Sequence, residues 1–143
     1  MSEGSETIID WASFSSARSE LGAEFVRILG YFREDGVKSV AAIEDAMRAS
    51  DAVAMVIPAH TLKGEASQFG AEALADLAEK IETIARQSIE WRQNPDEALP
   101  DVVQLRALFD ETLAAFERET NPLVERRGFG RKVESANQRF GQL

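Results

Sequence analysis

Residues 59–71 of the chain read AHTLKGEASQFGA. The apolar residues Leu62, Ala66 and Phe69 are spaced four and three apart, which places them on one face of an α-helix. Gly70 follows directly, at the position where a helix commonly ends on a glycine in the left-handed conformation. This segment therefore predicts an amphipathic helix that packs its apolar face against other helices.

The opposite face of this helix carries polar and small residues. They lie at steps of three, four and seven: His60, Lys63, Gly64 and Ser67. A neutral imidazole is a good nucleophile near neutral pH, and a lysine beside it can stabilise phosphoryl oxygens. Gly64 costs a helix ~1 kcal/mol relative to alanine, but it leaves open space beside the histidine. We interpret this face as one that exposes His60 to a phosphoryl group.

Helical apolar spacing continues on both sides of this segment, and no convincing strand alternation appears. The sequence predicts one short and four long helices, over residues 8–16, 19–49, 52–69, 71–91 and 101–119. Four long amphipathic helices with short connections favour an antiparallel four-helix bundle. We therefore predict an all-α fold in which the short N-terminal helix caps one end of the bundle.

Three positions in these helices need separate predictions, namely Val37, Pro58 and Val53. The gap from Phe32 to Val37 is one residue longer than ideal, so the two halves of the 19–49 helix are only roughly in phase and a distortion near Asp35 and Gly36 stays open. Val37 is assigned to the inward face of this helix. Pro58 removes a backbone hydrogen bond, so it either kinks the 52–69 helix or marks its true start. Val53 is assigned to the core side of the same helix.

Charge is unevenly distributed along the 143 residues. The net charge is −9, but residues 121–143 carry +3, which leaves −12 on residues 1–120. Because so acidic a body is repelled by phosphate backbones, we expect no nucleic-acid binding. The sequence predicts a bundle domain over 1–120 and an irregular basic C-terminal tail over 121–143.

Several functional classes are excluded by composition. The chain has no cysteine and one histidine, so it offers no thiolate zinc site and no His/Cys metal cluster. It contains no G-x-S-x-G motif, no Walker A motif and no kinase glycine-rich loop, so we expect neither a hydrolase nor ATP binding. Without an 18-residue apolar run or a signal-peptide pattern, we expect a cytoplasmic protein that does not enter a membrane.

The segment resembles the histidine phosphotransfer (Hpt) domain, whose signature is H-x-L-K-G with a glycine near the end of the same helix. The matching residues are His60, Leu62, Lys63, Gly64 and Gly70. The resemblance covers about residues 20–118, with sharp motif matches confined to 60–82. It implies a four-helix bundle that receives a phosphoryl group on His60.

The resemblance also implies roles for neighbouring residues. Glu82 falls after the leucine-periodic start of the next helix, at a position where the family commonly has Gln or Glu bonded to the active imidazole. That helix packs antiparallel to the first, so Glu82 is expected at the level of His60. Glu65 departs from the family pattern, in which a small residue is usual. We expect Glu65, Ser67 and Gln68 on the partner-docking surface, where Glu65 tunes the choice of partner.

By the same resemblance, the chain would be a phosphorelay carrier and not an enzyme. Its partners would be the receiver domains of response regulators and a hybrid or sensor histidine kinase. It would need no cofactor or metal of its own, because the receiver brings the aspartate and the Mg²⁺. The site requires one protomer, so we expect a monomer.

Two other functions fit the sequence. A bundle of this kind can act as a non-phosphorylated docking module that binds or sequesters a receiver domain or a kinase. The dimerisation region of a histidine kinase also has a histidine on a helix, but there an acidic residue and a Leu-Arg-x-Pro pattern usually follow, and here Thr61 and Leu62 follow. The basic tail is either a solubilising extension or an electrostatic arm. Such an arm would fold onto the acidic body or recruit an acidic partner.

Overall fold

The computed structural model describes residues 8–120, and this part of the chain is helical with no strand. Its α-helices are α1 Trp11–Leu21, α2 Phe25–Arg48, α3 Ala52–Gln68, α4 Glu72–Glu90 and α5 Leu99–Thr120. Short 3₁₀ turns, Gly22–Glu24 and Asp96–Ala98, precede α2 and α5. The predicted all-α helical bundle is confirmed. The predicted basic tail lies outside the described residues.

The chain divides into two compact units, Met1–Thr112 and Leu113–Leu143. The first unit holds α1 to α4, most of α5 and every residue of the predicted site. In the second unit, the Oγ1 hydroxyl of Thr120 donates to the backbone carbonyl oxygen of Phe116 at 3.0 Å. The predicted domain boundary after residue 120 stays a prediction.

The start of α3 and the turn after it have clear local causes. The side chain of Asp51 accepts a hydrogen bond from the backbone nitrogen of Ala54 at 3.0 Å and caps the helix. After α3, Gly70 adopts a φ of +79°, as the sequence predicts. A Cβ atom on Gly70 would lie 2.6 Å from the carbonyl oxygen of Asp10. The glycine therefore also lets the segment before α1 pack against this turn, where the Asp10 nitrogen donates to the Gly70 oxygen at 2.7 Å.

A series of phenylalanine rings forms the core of the first unit. Phe25 lies 5.4 Å from Phe14 and 5.9 Å from Phe69, measured between ring centroids, and Phe32 lies 5.6 Å from Phe69 and 5.9 Å from Phe109. All five side chains are at least 98% buried. Aromatic pairs at these separations stabilise the fold beyond what the burial of their apolar area alone contributes. They join α1, α2 and α5 to the end of α3.

The predicted helix over 19–49 is wrong in its first part. The first helix continues to Leu21 instead of ending near residue 16, and Gly22 then adopts a φ of +55°, which an α-helix cannot contain. A 3₁₀ turn follows, and α2 begins at Phe25. The sequence placed a possible distortion near Gly36, but α2 runs through Gly36 without interruption.

Gly36 is an inward-facing residue of α2. A Cβ atom there would lie 2.3 Å from Cε1 of Phe109, so the glycine is required for α5 to pack this closely. Phe32, Gly36 and Val40 are buried at steps of four, whereas Val37 is 46% exposed. The assignment of Val37 to the inward face is wrong, because the glycine holds that position.

Pro58 lies inside the continuous helix α3, so it does not mark the start of that helix.

Within residues 8–120, no helix combines the length and the apolar character that crossing a membrane requires.

Candidate functional site

The site is formed by two neighbouring helices, α3 and α4. His60 lies on α3 with 58% of its side chain exposed, and Glu82 lies on α4 with only 7% exposed. Oxygen Oε2 of Glu82 is 3.1 Å from Nδ1 of His60. The short turn between α3 and α4 makes the helices antiparallel neighbours, which returns Glu82 to the level of His60.

The Glu82 carboxylate also contacts two cationic side chains. Nζ of Lys63 lies 3.1 Å from Oε1, and Arg86 approaches Oε2 with Nε at 2.9 Å and Nη2 at 2.8 Å. Arg86 was not among the residues predicted from the sequence. Its i,i+4 spacing from Glu82 was the available signal, since residues at that spacing are neighbours on a helix surface.

Two opposing effects set the charge of Glu82. Burial raises the pKa of its carboxyl group, but the hydrogen bonds with Arg86 and His60 and the adjacent charge of Lys63 together outweigh burial. The pKa of Glu82 is therefore held below its ordinary value of 4.5. Glu82 is ionised at neutral pH.

This charge state determines the hydrogen-bonding state of the imidazole. An ionised carboxylate only accepts hydrogen bonds, so Nδ1 of His60 is the nitrogen that carries the hydrogen. In the neutral imidazole the lone pair then lies on Nε2. Positive charge that develops on the ring when Nε2 bonds to an electrophile is stabilised by Glu82. The arrangement is that of an oriented nitrogen nucleophile.

The face of α3 around His60 is open. A Cβ atom on Gly64 would meet nothing within 4 Å, so packing within residues 8–120 does not explain this glycine. Ser67 and Gln68, two turns after the histidine, are exposed. Val53 and Ile57 are each 68% exposed on the side preceding it. The assignment of Val53 to the core is wrong, because it lies seven residues before His60 and shares its face.

The structure does not bring Glu65 onto this open face. Glu65 lies five positions after His60, which turns its side chain well away from the histidine on a helix. Its Oε1 atom is buried, and burial together with the negative charge of Asp35 on α2 raises the pKa of the carboxyl group. Glu65 therefore faces the side of α3 next to α2.

In residues 8–120, no three His, Cys, Asp or Glu side chains converge on a position that could hold a metal ion.

Comparison with known proteins points to a single family. The Hpt domain model matches residues 27–118, a stretch that contains both His60 and Glu82. Among solved structures, the chain is similar to the histidine-containing phosphotransfer protein B (HptB) from Pseudomonas aeruginosa PAO1, with a TM-score of 0.68 and 26% sequence identity. That alignment covers 78% of this chain and 93% of the other. No curated protein matches the chain significantly.

Proposed function

The chain belongs to the Hpt domain family, whose members carry phosphoryl groups in phosphorelays and are not enzymes, and we propose that Nε2 of His60 is its phosphoacceptor atom. The proposed donor is the phosphorylated aspartate of a receiver domain. The proposed final acceptor is the aspartate of a response regulator.

The hydrogen bond between Nδ1 of His60 and Glu82 is the observation that carries this proposal. It leaves the lone pair on Nε2, which attacks the phosphorus atom of the aspartyl phosphate. The bond from Nε2 to phosphorus forms as the bond from phosphorus to the aspartate oxygen breaks, and the electron pair leaves with the aspartate carboxylate. The hydrogen on Nδ1 stays in place, so the ring becomes positive beside the negative charge of Glu82.

Lys63 is the proposed stabiliser of the transferring phosphoryl group. Its side chain is 30% exposed and is paired with Oε1 of Glu82, one turn from the histidine. A lysine amine is a compact charge on a flexible stem, so it can reach phosphoryl oxygens without leaving this part of the surface. The same groups serve the reverse reaction, because a phosphohistidine can also donate to an aspartate.

The open face of α3 is the proposed docking surface for the receiver. Gly64 has no side chain to hold a partner away, and Ser67 and Gln68 are exposed beyond it. Val53 and Ile57 add exposed apolar area on the other side of His60, where a receiver can bury it. A well-fitting surface next to the nucleophile would place the aspartyl phosphate within reach of Nε2.

The remaining requirements are proposed to lie with the partners. The receiver supplies the Mg²⁺ together with its aspartate, and a hybrid or sensor histidine kinase is the source of the phosphoryl group that the donor receiver carries. The chain itself uses no ATP and no cofactor. We further propose that it works as a monomer in the cytoplasm, without nucleic acid.

Phosphotransfer from a radiolabelled receiver domain tests this proposal. Wild type should acquire an acid-labile, base-stable label, and His60→Gln should acquire none. Arg48→Gln is the matched control, because it places the same side chain at an exposed position on α2, and it should be labelled like wild type. Receivers that bind wild type and His60→Gln equally, but never label wild type across the whole set from one host, would contradict the proposal and favour a docking module.

A further inference from the structure

Arg86 contributes to the site although no motif in the sequence includes it. Its Nε and Nη2 atoms lie 2.9 and 2.8 Å from Oε2 of Glu82, the same oxygen that faces Nδ1 of His60. Resting on the proposed function, we propose that Arg86 is a positioning residue. It fixes the Glu82 carboxylate in the orientation that holds His60 as the Nδ1–H tautomer.

Arg86 and Lys63 hold the Glu82 carboxylate in different ways, because they contact different oxygens. The terminal torsion of a glutamate side chain is broad, so a carboxylate held by one point charge can rotate. A guanidinium group is planar and rigid, and here its Nε donates a hydrogen bond to Oε2 while Nη2 lies 2.8 Å from the same oxygen. Lys63 contacts the other oxygen with an ammonium group, which has no such plane. Arg86 is therefore the group that holds Oε2, the oxygen that faces Nδ1 of His60.

Arg86 also helps to keep Glu82 as an acceptor. The charged or titratable groups that face Glu82 are Lys63 and His60 from α3 and Arg86 from its own helix. Burial opposes ionisation of this carboxyl group, and the Arg86 hydrogen bond is the largest of the effects that favour it. A protonated carboxyl group could instead donate to Nδ1. The imidazole would then carry its hydrogen on Nε2 and lose its nucleophilic lone pair at that atom.

Ordinary helix pairs do not act this way. An exposed ion pair at i,i+4 only adds slightly to the stability of its own helix. Glu82 differs because its side chain is 7% exposed and its Oε2 atom faces a residue on another helix. Arg86 itself is 57% exposed, so its substitution should not disturb the core.

The single histidine makes the test direct, because a spectrum of ¹⁵N-labelled histidine reports only His60. Wild type should show hydrogen on Nδ1. Arg86→Gln should shift the population toward hydrogen on Nε2 and slow phosphotransfer roughly tenfold. Arg86→Lys keeps the charge but not the planar guanidinium group with its Nε donor, so it should restore the wild-type tautomer only in part.

Arg48→Gln is the control, because Arg48 pairs with Asp45 on an exposed part of α2, and it should match wild type in both measurements. An Arg86→Gln spectrum identical to wild type would overturn the inference, even with slower transfer, because a loss of docking alone leaves the tautomer unchanged. The two proposals fail separately. A shifted tautomer in Arg86→Gln, with wild type never phosphorylated, would refute the proposed function and leave the positioning role intact.

Discussion

Glu82 joins the functional groups of the site through one buried carboxylate. Burying a charge is costly unless it is paired and hydrogen-bonded, and here His60, Lys63 and Arg86 provide those partners. The same contacts orient the imidazole. At the scale of single residues, the pairing that makes this burial tolerable also provides the orientation that the proposed phosphoacceptor requires.

Glu82→Gln should destabilise the fold in a pH-dependent way. Since the folded state lowers the pKa of Glu82, its contribution to stability is present above the ordinary value of 4.5 and is lost as pH falls through the folded value. The difference in the free energy of unfolding between wild type and variant should therefore be large at about pH 7 and shrink below about pH 4.5. Urea unfolding at several pH values measures it, and a difference that does not change with pH would contradict this prediction.

Glu65→Gln should change the free energy of unfolding in the opposite direction to Glu82→Gln. Burial and Asp35 raise the pKa of Glu65 in the folded state, so wild-type stability is fully present below the ordinary value and is lost as pH rises through the folded value. The variant should be the more stable protein at about pH 7, and its advantage should disappear in acid. The same unfolding series serves as the measurement. A variant that is less stable than wild type at neutral pH would contradict this prediction, because it would mean that the ionised Glu65 carboxylate stabilises the folded state.

The sequence predicted the residues of one helix better than those that depend on a neighbour. Helical spacing alone placed His60, Lys63 and Gly64 on one face. The position of Arg86 in the site depends on which face of α4 turns toward α3, and the burial of Glu65 depends on α2. Neither can be read from spacing within a single segment.

At the scale of elements, α2 contains two glycines in different surroundings. A Cβ atom on Gly36 would lie 2.3 and 2.5 Å from ring atoms of Phe109, whereas one on Gly30 would meet nothing within 4 Å. Both positions are helical. Alanine substitutions at Gly30 and Gly36 therefore distinguish the effect of helix propensity from the effect of close packing.

Gly36→Ala should destabilise the protein by about 1–3 kcal/mol, because the buried Phe109 ring must move. Gly30→Ala is its matched control and should stabilise by up to ~1 kcal/mol, since alanine is the better helix former. Thermal and urea unfolding of the two variants provides the comparison. Equal effects from both substitutions would mean that α2 and α5 do not pack as closely as described.

These glycines also explain why helix boundaries were harder to predict than helix number. A glycine that ends a helix and one that permits close packing look the same in a sequence. Gly22 ends α1 with a positive φ, and Gly36 lies in the middle of α2. The predicted 19–49 helix had its uncertain point at Gly36 and ran through Gly22, because only tertiary contacts distinguish the two glycines.

At the scale of the whole molecule, charge and domain organisation can be tested together. Residues 1–120 carry −12 and residues 121–143 carry +3. The family match ends at residue 118, and α5 ends at Thr120. We expect a chain that ends at residue 120 to melt within a few degrees of the full chain. A much lower melting temperature would contradict the predicted domain boundary.

The truncated chain also tests the two interpretations of the tail. If the tail is only an extension, the phosphotransfer rates of the two chains should depend on salt in the same way. An electrostatic arm would make the full chain the faster one at low salt, and the difference would vanish as salt screens the charges.

The central claim is that His60 accepts the phosphoryl group on Nε2, and identifying the phosphorylated atom tests it most directly. Wild type with ¹⁵N-labelled histidine, phosphorylated by a receiver domain, should show the phosphoryl group on Nε2 and hydrogen on Nδ1. His60→Gln should show no phosphohistidine. A phosphoryl group on Nδ1, or on another residue with His60 unmodified, would contradict the account.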